Sequence, residues 1–217
     1  MASDAGQMLE NVRAGDIIFG VGAGGQEKLL FVYEADDESF SARHVTSQMR
    51  ARFGRDGESR WVEGGGSCTI VSTAKLPPDM FAVALGLDRK FASRVEYPDS
   101  ILTKDEIHLI LNHDKFFKAR VLPGKETIAI WAERINGVRA ILNLEWDPIN
   151  APDDPPSWNE YRGDLPDLVA LLEKSASTVE VQGFLSGMAV RAGRTQQVSQ
   201  RGAAAAVSLV ELRDGWS

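Results

Sequence analysis

Asp16-Ile-Ile-Phe-Gly-Val21, Lys28-Leu-Leu-Phe-Val-Tyr-Glu34 and the run from Ser39 to Thr46 are the stretches on which the fold turns. The second is branched or aromatic through most of its length, the composition of a strand packed on a pleated, half-buried surface. The third alternates, with Phe40, Ala42 and His44 on one face and Ser41, Arg43 and Val45 on the other. Asp36-Asp37-Glu38 between them marks a turn. Further out, Met49 to Phe53 and Ser59 to Glu63 flank Asp56-Gly57, a pair that tolerates positive φ and so closes hairpins. After Gly64-Gly65-Gly66 comes Cys68-Thr-Ile-Val-Ser-Thr73. Short strands at this spacing, with no long helix among them, predict a small, strongly bent antiparallel barrel or sandwich. The lead-in Val12-Arg-Ala-Gly-Asp-Ile-Ile18 resembles the first strand of SH3-like barrels.

Pro77-Pro78 ends the strand region, because proline cannot donate to a ladder. From there the apolar period becomes helical. Met80 to Phe91 predicts a helix interrupted by Gly86. Thr103-Lys-Asp-Glu106, Ser157-Trp-Asn-Glu160 and Ser177-Thr-Val-Glu180 each have the form of a capping box. Ile128, Trp131, Ile135, Val138 and Leu142 recur at spacings of 3 and 4, which predicts a helix rather than a hairpin turning at Asn136-Gly137. Pro166 restarts a helix after Asp164, and a last helix is expected over Thr195 to Leu212 around the run Ala203 to Ala206. The predicted fold class is α+β: an antiparallel β-barrel-like unit over residues 1–76, then a helical unit over 77–217.

Bulk composition excludes classes without naming a function. The chain has 217 residues, 43% of them hydrophobic and 25% charged, which excludes collagen-like and disordered chains. A single cysteine excludes an internal disulfide and leaves a cysteine-based zinc site one ligand. With neither a signal-peptide pattern nor an apolar run of membrane-spanning length, a cytoplasmic protein that does not enter a membrane is expected. Net charge is −7, and residues 126–182, with 4 basic and 11 acidic groups, account for all of it. Such a bias repels phosphates and favours basic partners.

Leu142-Asn-Leu-Glu-Trp-Asp-Pro-Ile149 is followed by a proline-rich loop, Tyr161, Leu165-Pro166, Leu171-Leu172 and Ala176-Ser177 before Val181 to Leu185. This order, across residues 127–190, resembles an uncharacterised bacterial family of small all-helical proteins with a Trp-Asp-Pro-Ile helix end. The sequence departs from that pattern at Asn150, where the family has glycine, and at Asn159-Glu160-Tyr161. The resemblance implies a helical fold and carries no chemistry; its association with toxin–immunity neighbourhoods implies an immunity-like role.

Candidate chemistry is sparse. Gly20-Val-Gly-Ala-Gly-Gly-Gln-Glu-Lys28 has the look of a phosphate loop, but a strand follows where a nucleotide loop needs a helix N-terminus. It reads as a hairpin loop, and no cofactor is expected. Cys68 and His44 are the candidate catalytic pair of a Cys-dependent hydrolase, in which an imidazole would activate the thiol. His108 and His113, five residues apart, would stand about 140° apart around a helix and could not share a metal as an i, i+4 pair does; no metal site is expected. Asp147, Asp153, Asp154 and Glu160 are the candidate docking residues for a basic protein partner. Arg50, Arg52, Arg55 and Trp61, with Arg43, Arg60 and Phe53 nearby, offer the arginine-plus-aromatic pattern that grips single-stranded nucleic acid. The acids Asp56, Glu58 and Glu63 lie among them, and charge protecting an edge strand gives the same pattern. The function expected is a non-catalytic protein–protein interaction module, with the hydrolase and the nucleic-acid-binding barrel as alternatives. Oligomeric state is not encoded in any of these signals.

Overall fold

The computed structural model of the chain describes residues 9–93, 103–106, 109, 116–146, 161, 163–191 and 198–216. The N-terminal part is a six-stranded antiparallel sheet in the order β5-β4-β3-β2-β1-β6. Its strands are β1 (Ile17–Gly22), β2 (Glu27–Ala35), β3 (Ser39–His44), β4 (Arg50–Gly54), β5 (Ser59–Val62) and β6 (Cys68–Ser72). Each expected strand is present within two residues of its sequence-derived limits. The sheet curls until its two edge strands meet: Glu58, at the head of β5, bridges Thr69 on β6, and the Ile70 N–H donates to the Gly57 carbonyl at 2.8 Å. The result is a barrel-like half-closed sheet, and the chain as a whole is α+β.

The curl gives the sheet two cores. Inside it, Ile18, Leu30, Val32, Phe40, Ala42, Ala51, Phe53, Val62, Cys68 and Ile70 meet Leu9, Val12 and Leu122. Phe40 and Phe53, directly paired across β3 and β4, stack with ring centres 5.3 Å apart. Outside it, Ile17, Phe19, Val21, Leu29 and Val71 pack against Ala84, Leu87, Leu109, Phe117 and Ala132. β1 is therefore buried at all of its positions, whereas β4 alternates exposed and buried. A strand covered on both faces has no polar side to show, and a strand covered on one face must alternate.

Helix α1 (Pro78–Ala92) starts with proline in its first turn, where the missing N–H is not needed. It runs unbroken through Gly86, which corrects the expected interruption: a side chain at that position would meet nothing within 4 Å, so the glycine sits on an open, exposed face and neither kinks nor packs the helix. The Thr103–Glu106 capping box is formed, with Thr103 N–H donating to Glu106 Oε2 at 2.7 Å and Glu106 N–H to Thr103 Oγ1 at 3.2 Å. Helix α2 (Glu126–Ile141) takes the place of the alternative hairpin at Asn136-Gly137 and continues as a π-helical turn, Leu142–Trp146.

By contact density the chain divides into Met1–Ala132 and Glu133–Ser217. The second unit carries α3 (Leu165–Glu173), α4 (Thr178–Arg191) and α5 (Val198–Asp214). α3 restarts at Leu165 with Pro166 in its first turn. α4 is opened by the Ser177–Glu180 box: Ser177 N–H and Oγ each donate to Glu180 Oε2 at 2.7 Å. Trp146 and Tyr161, both buried, meet with ring centres 5.6 Å apart. The Ser157–Glu160 box lies outside the described residues.

Candidate interaction surface

Ala84 and Leu87 of α1, with Leu109 and Phe117, cover the outer face of the sheet over β1, β2 and β6. Arg43 on β3 marks the border: its Nε and Nη2 donate to Asp88 of α1 at 2.9 and 2.6 Å, and its guanidinium stands 4.8 Å over the Phe31 ring. Gln48, held at a φ of 58°, adds an Nε2–H donated to Asp88 Oδ1 at 3.2 Å. Beyond this border, Arg50 and Arg52 of β4 and Trp61 of β5 are exposed.

Strand register places its side chains. Glu34, Ser41, Arg52 and Trp61 form one row across four strands, and Phe31, Arg43 and Arg50 form the next. Val32, Ala42, Ala51 and Val62, between the rows, point into the barrel. Trp61 is 55% exposed, a large value for an indole, and Tyr33 is 39% exposed beside Arg43. Residues 39–62 hold five arginines against two acids, and on this face Glu34 shares the row of Arg52 while Glu63 meets Arg50.

The five arginines do not act alike. Arg43 is committed to Asp88. Arg60 donates to Asp56 Oδ2 at 2.6 Å. Arg55 turns toward the N-terminal segment: its Nη1 donates to the Leu9 and Val12 carbonyls at 2.6 and 3.1 Å, its Nη2 to the Asp36 carbonyl, and its guanidinium stacks 5.6 Å over Phe40. It is a clamp and does not join the exposed set with Arg50, Arg52 and Trp61. Arg52 reaches Ser39 Oγ at 2.9 Å and lies 3.9 Å from Asp36, but keeps 59% of its side chain exposed. Glu63 accepts the Arg50 backbone N–H at 3.0 Å, leaving the Arg50 side chain directed outward.

Cys68 and His44 are not brought together. Cys68 is 2% exposed among core side chains on β6, and His44 is on β3 with β2 and β1 between them in the sheet. The His44 ring bonds Ser47 Oγ at 2.7 Å in the exposed β3–β4 turn. Burial pushes the Cys68 thiol up to about 11, with Lys28 opposing weakly, whereas a nucleophilic thiol must be drawn down. The sequence could not show this, because a cysteine in an alternating strand fits either face until the register is known. No group of three metal-ligating side chains gathers among the described residues, and no described helix is long and apolar enough to cross a membrane.

Asp147, Asp153, Asp154 and Glu160 lie outside the described residues, as do His108 and His113. Among the described acids of the helical unit, Asp164 accepts from Arg191 at 2.6 Å, Glu173 from Arg134 at 2.8 Å, and Glu145 from Ser208 Oγ at 2.6 Å. Glu180 is held in its capping box.

Sequence reasoning missed Tyr33 and the Arg43–Asp88 border. Tyr33 is the extra residue where the β2–β3 register shifts between Val32 and Glu34, a bulge that leaves no mark in composition. The Arg52–Trp61 pairing likewise depends on a bulge, at Arg60 between the Phe53–Ser59 and Arg52–Trp61 pairs, that counting from the Asp56-Gly57 turn does not show. Comparison with protein-family models, curated proteins and solved structures finds no match to this chain.

Proposed function

We propose that this chain is a non-catalytic protein–protein interaction module that engages its partner through the outer face of β4 and β5. The carrying observation is the Arg52–Trp61 cross-strand pair, an exposed indole beside an exposed guanidinium. Tryptophan and arginine are the side chains that most often anchor interfaces, because each brings large contact area and a directional polar group. A nucleic acid fits this face less well: Glu34 lies in the same row as Arg52, Glu63 caps the row of Arg50, and three of the five arginines are already engaged, so no continuous cationic track follows a phosphate chain.

A second reading is supported by the charge of residues 126–182: an acidic segment, with Asp147, Asp153, Asp154 and Glu160, docking a basic partner in an immunity-like role. The experiment that separates the two is affinity capture from the native host at low salt, run in parallel with wild type, a Trp61→Ala/Arg52→Glu variant and a variant with the four acids neutralised. A specific partner lost with the first variant supports the sheet-face reading. A partner lost with the second alone favours the acidic segment, and no partner in any arm overturns the module itself.

A further inference from the structure

We infer that the barrel is latched at one seam: β5 parts from β6 while the rest of the fold holds, and the segment from Phe117 to Lys125 is the strap that keeps the seam shut. The strand pairs are unequal. Neighbours within the sheet share three to five residue pairs each, whereas β5 and β6 meet at the single Glu58–Thr69 bridge. One further main-chain bond crosses there, from the Ile70 N–H to the Gly57 carbonyl at 2.8 Å. Side chains supply the rest of the closure. The Cys68 N–H donates to Ser59 Oγ at 2.9 Å, and Thr69 Oγ1 donates to Glu58 Oε2 at 2.8 Å.

The strap covers what strand pairing leaves. Phe117 stacks on Phe19 in the outer core, with ring centres 5.2 Å apart, and a few residues later Leu122 is buried in the inner core. The chain between them turns around the side of β6 that faces away from β1. There the Leu122 N–H donates to the Val71 carbonyl at 2.8 Å, and Ser72 Oγ to the Arg120 carbonyl at 2.7 Å. The end of the strap ties the other side of the seam: Lys125 Nζ donates to Glu58 Oε1 at 2.6 Å, with the lysine side chain 16% exposed. Glu58 therefore holds Thr69 of β6 on one carboxylate oxygen and Lys125 of the strap on the other, and its loss releases both at once. Behind these contacts lie Cys68 and Ile70, 2% and 0% exposed. A few bonds centred on one half-exposed carboxylate hold less firmly than a ladder, so the seam opens at a lower free energy than the whole fold. Opening bares the inner apolar face of β6 and the Cys68 thiol, and the Glu58–Lys125 pair is its control point.

The test is iodoacetamide labelling of Cys68, the one thiol in the chain, followed in the folded full-length protein at urea concentrations below the unfolding transition. A parting seam exposes little surface, so labelling through it depends weakly on urea, whereas labelling through global unfolding depends steeply. The expected result is a slow, weakly urea-dependent rate in wild type, raised about tenfold by Glu58→Ala and by a smaller factor in Lys125→Met. Arg134→Met, which breaks the Arg134–Glu173 pair of the helical unit, leaves that rate unchanged. Lys125→Met keeps the length of the side chain and carries the test should Glu58→Ala not fold. A steep urea dependence from the lowest concentration, in wild type and variants alike, overturns the opening, since Cys68 then reacts only from the unfolded chain. A weak dependence that neither seam variant alters overturns the latch. An equal rise in Arg134→Met overturns it as well, because the rate then follows overall stability.

Discussion

Arg43 of β3 and Asp88 of α1 form a two-pronged ion pair, closed at 2.6 Å on the Nη2–Oδ2 side, in which the carboxylate is 1% exposed and the arginine 26%. Forty-five residues apart in sequence, they pin the first helix to the sheet and set the limit of its helical cover. The hydrogen bonds to Asp88 hold the Arg43 guanidinium above its already high ordinary value, against a smaller effect of burial.

Replacing Asp88 alone strands a half-buried guanidinium. Asp88→Ala is expected to cost about 3 kcal/mol in urea unfolding. Removing both partners, as Arg43→Met with Asp88→Leu, should cost clearly less than the two single changes added together, because no charge is left unpaired. Additive losses would show that the pair contributes packing and no coupling.

Cys68 is expected to react with iodoacetamide at pH 8 far more slowly in the folded protein than in guanidinium, since its thiol is buried and protonated. The same burial sets a pH dependence. A thiol raised from its ordinary 9.0 to about 11 in the fold contributes stability that is fully present below 9 and lost as pH climbs toward 11. The loss should amount to roughly 3 kcal/mol at most, and Cys68→Ala should flatten that part of the stability–pH curve. Rapid labelling of the native protein would contradict both statements.

Two capping boxes give a matched pair of variants. Ser177→Ala and Thr103→Ala each remove a side-chain acceptor from a helix start and should each cost about 1 kcal/mol in thermal or urea unfolding. At the second box, burial acts to raise the Glu106 carboxyl, but the Thr103 N–H and the Lys90 ammonium outweigh it and hold the group below its usual 4.5. That contribution is present above 4.5 and lost as the pH falls through the lower folded value. Thr103→Ala keeps that N–H and should leave the acid sensitivity largely in place, whereas Glu106→Gln should remove it.

Glycine positions separate open space from required backbone. Gly86→Ala, on an exposed helix face with nothing within 4 Å of the new methyl, should stabilise by up to about 1 kcal/mol. Gly57→Ala should destabilise by more than that gain, because Gly57 sits at a φ of 80° and the methyl would meet Leu9 Cδ1 at 3.0 Å. Equal effects of the two changes in a thermal melt would show that the turn next to the β5–β6 seam is not constrained.

Strand positions were legible because each depends on its own few residues. Phe40 and Ala42 alternate with Ser41 and Arg43 whatever lies beyond them, and Asp56-Gly57 closes a hairpin by its own backbone preferences. The capping boxes at Thr103 and Ser177 were legible for the same reason, since donor and acceptor are three residues apart. The candidate site was legible in part. Arg50 and Arg52 share a face by simple alternation, but Trp61 joins them only through the bulge at Arg60, and Arg55, which looked like a further member, spends its guanidinium on carbonyls of Leu9, Val12 and Asp36 that are far away in sequence.

The sequence by itself determined the periods, the turns and the caps, and with them six strands followed by helices, because those signals are carried by neighbours and enforced by local sterics and hydrogen bonding. Tertiary structure alone decided what each residue faces. It curled the sheet so that Glu58 meets Thr69, sealed Cys68 away from His44, and let α1 stop at Arg43 so that Trp61 remained open. Those outcomes depend on which apolar faces cover one another across the chain, a choice made by burial of total area that no short window of residues contains.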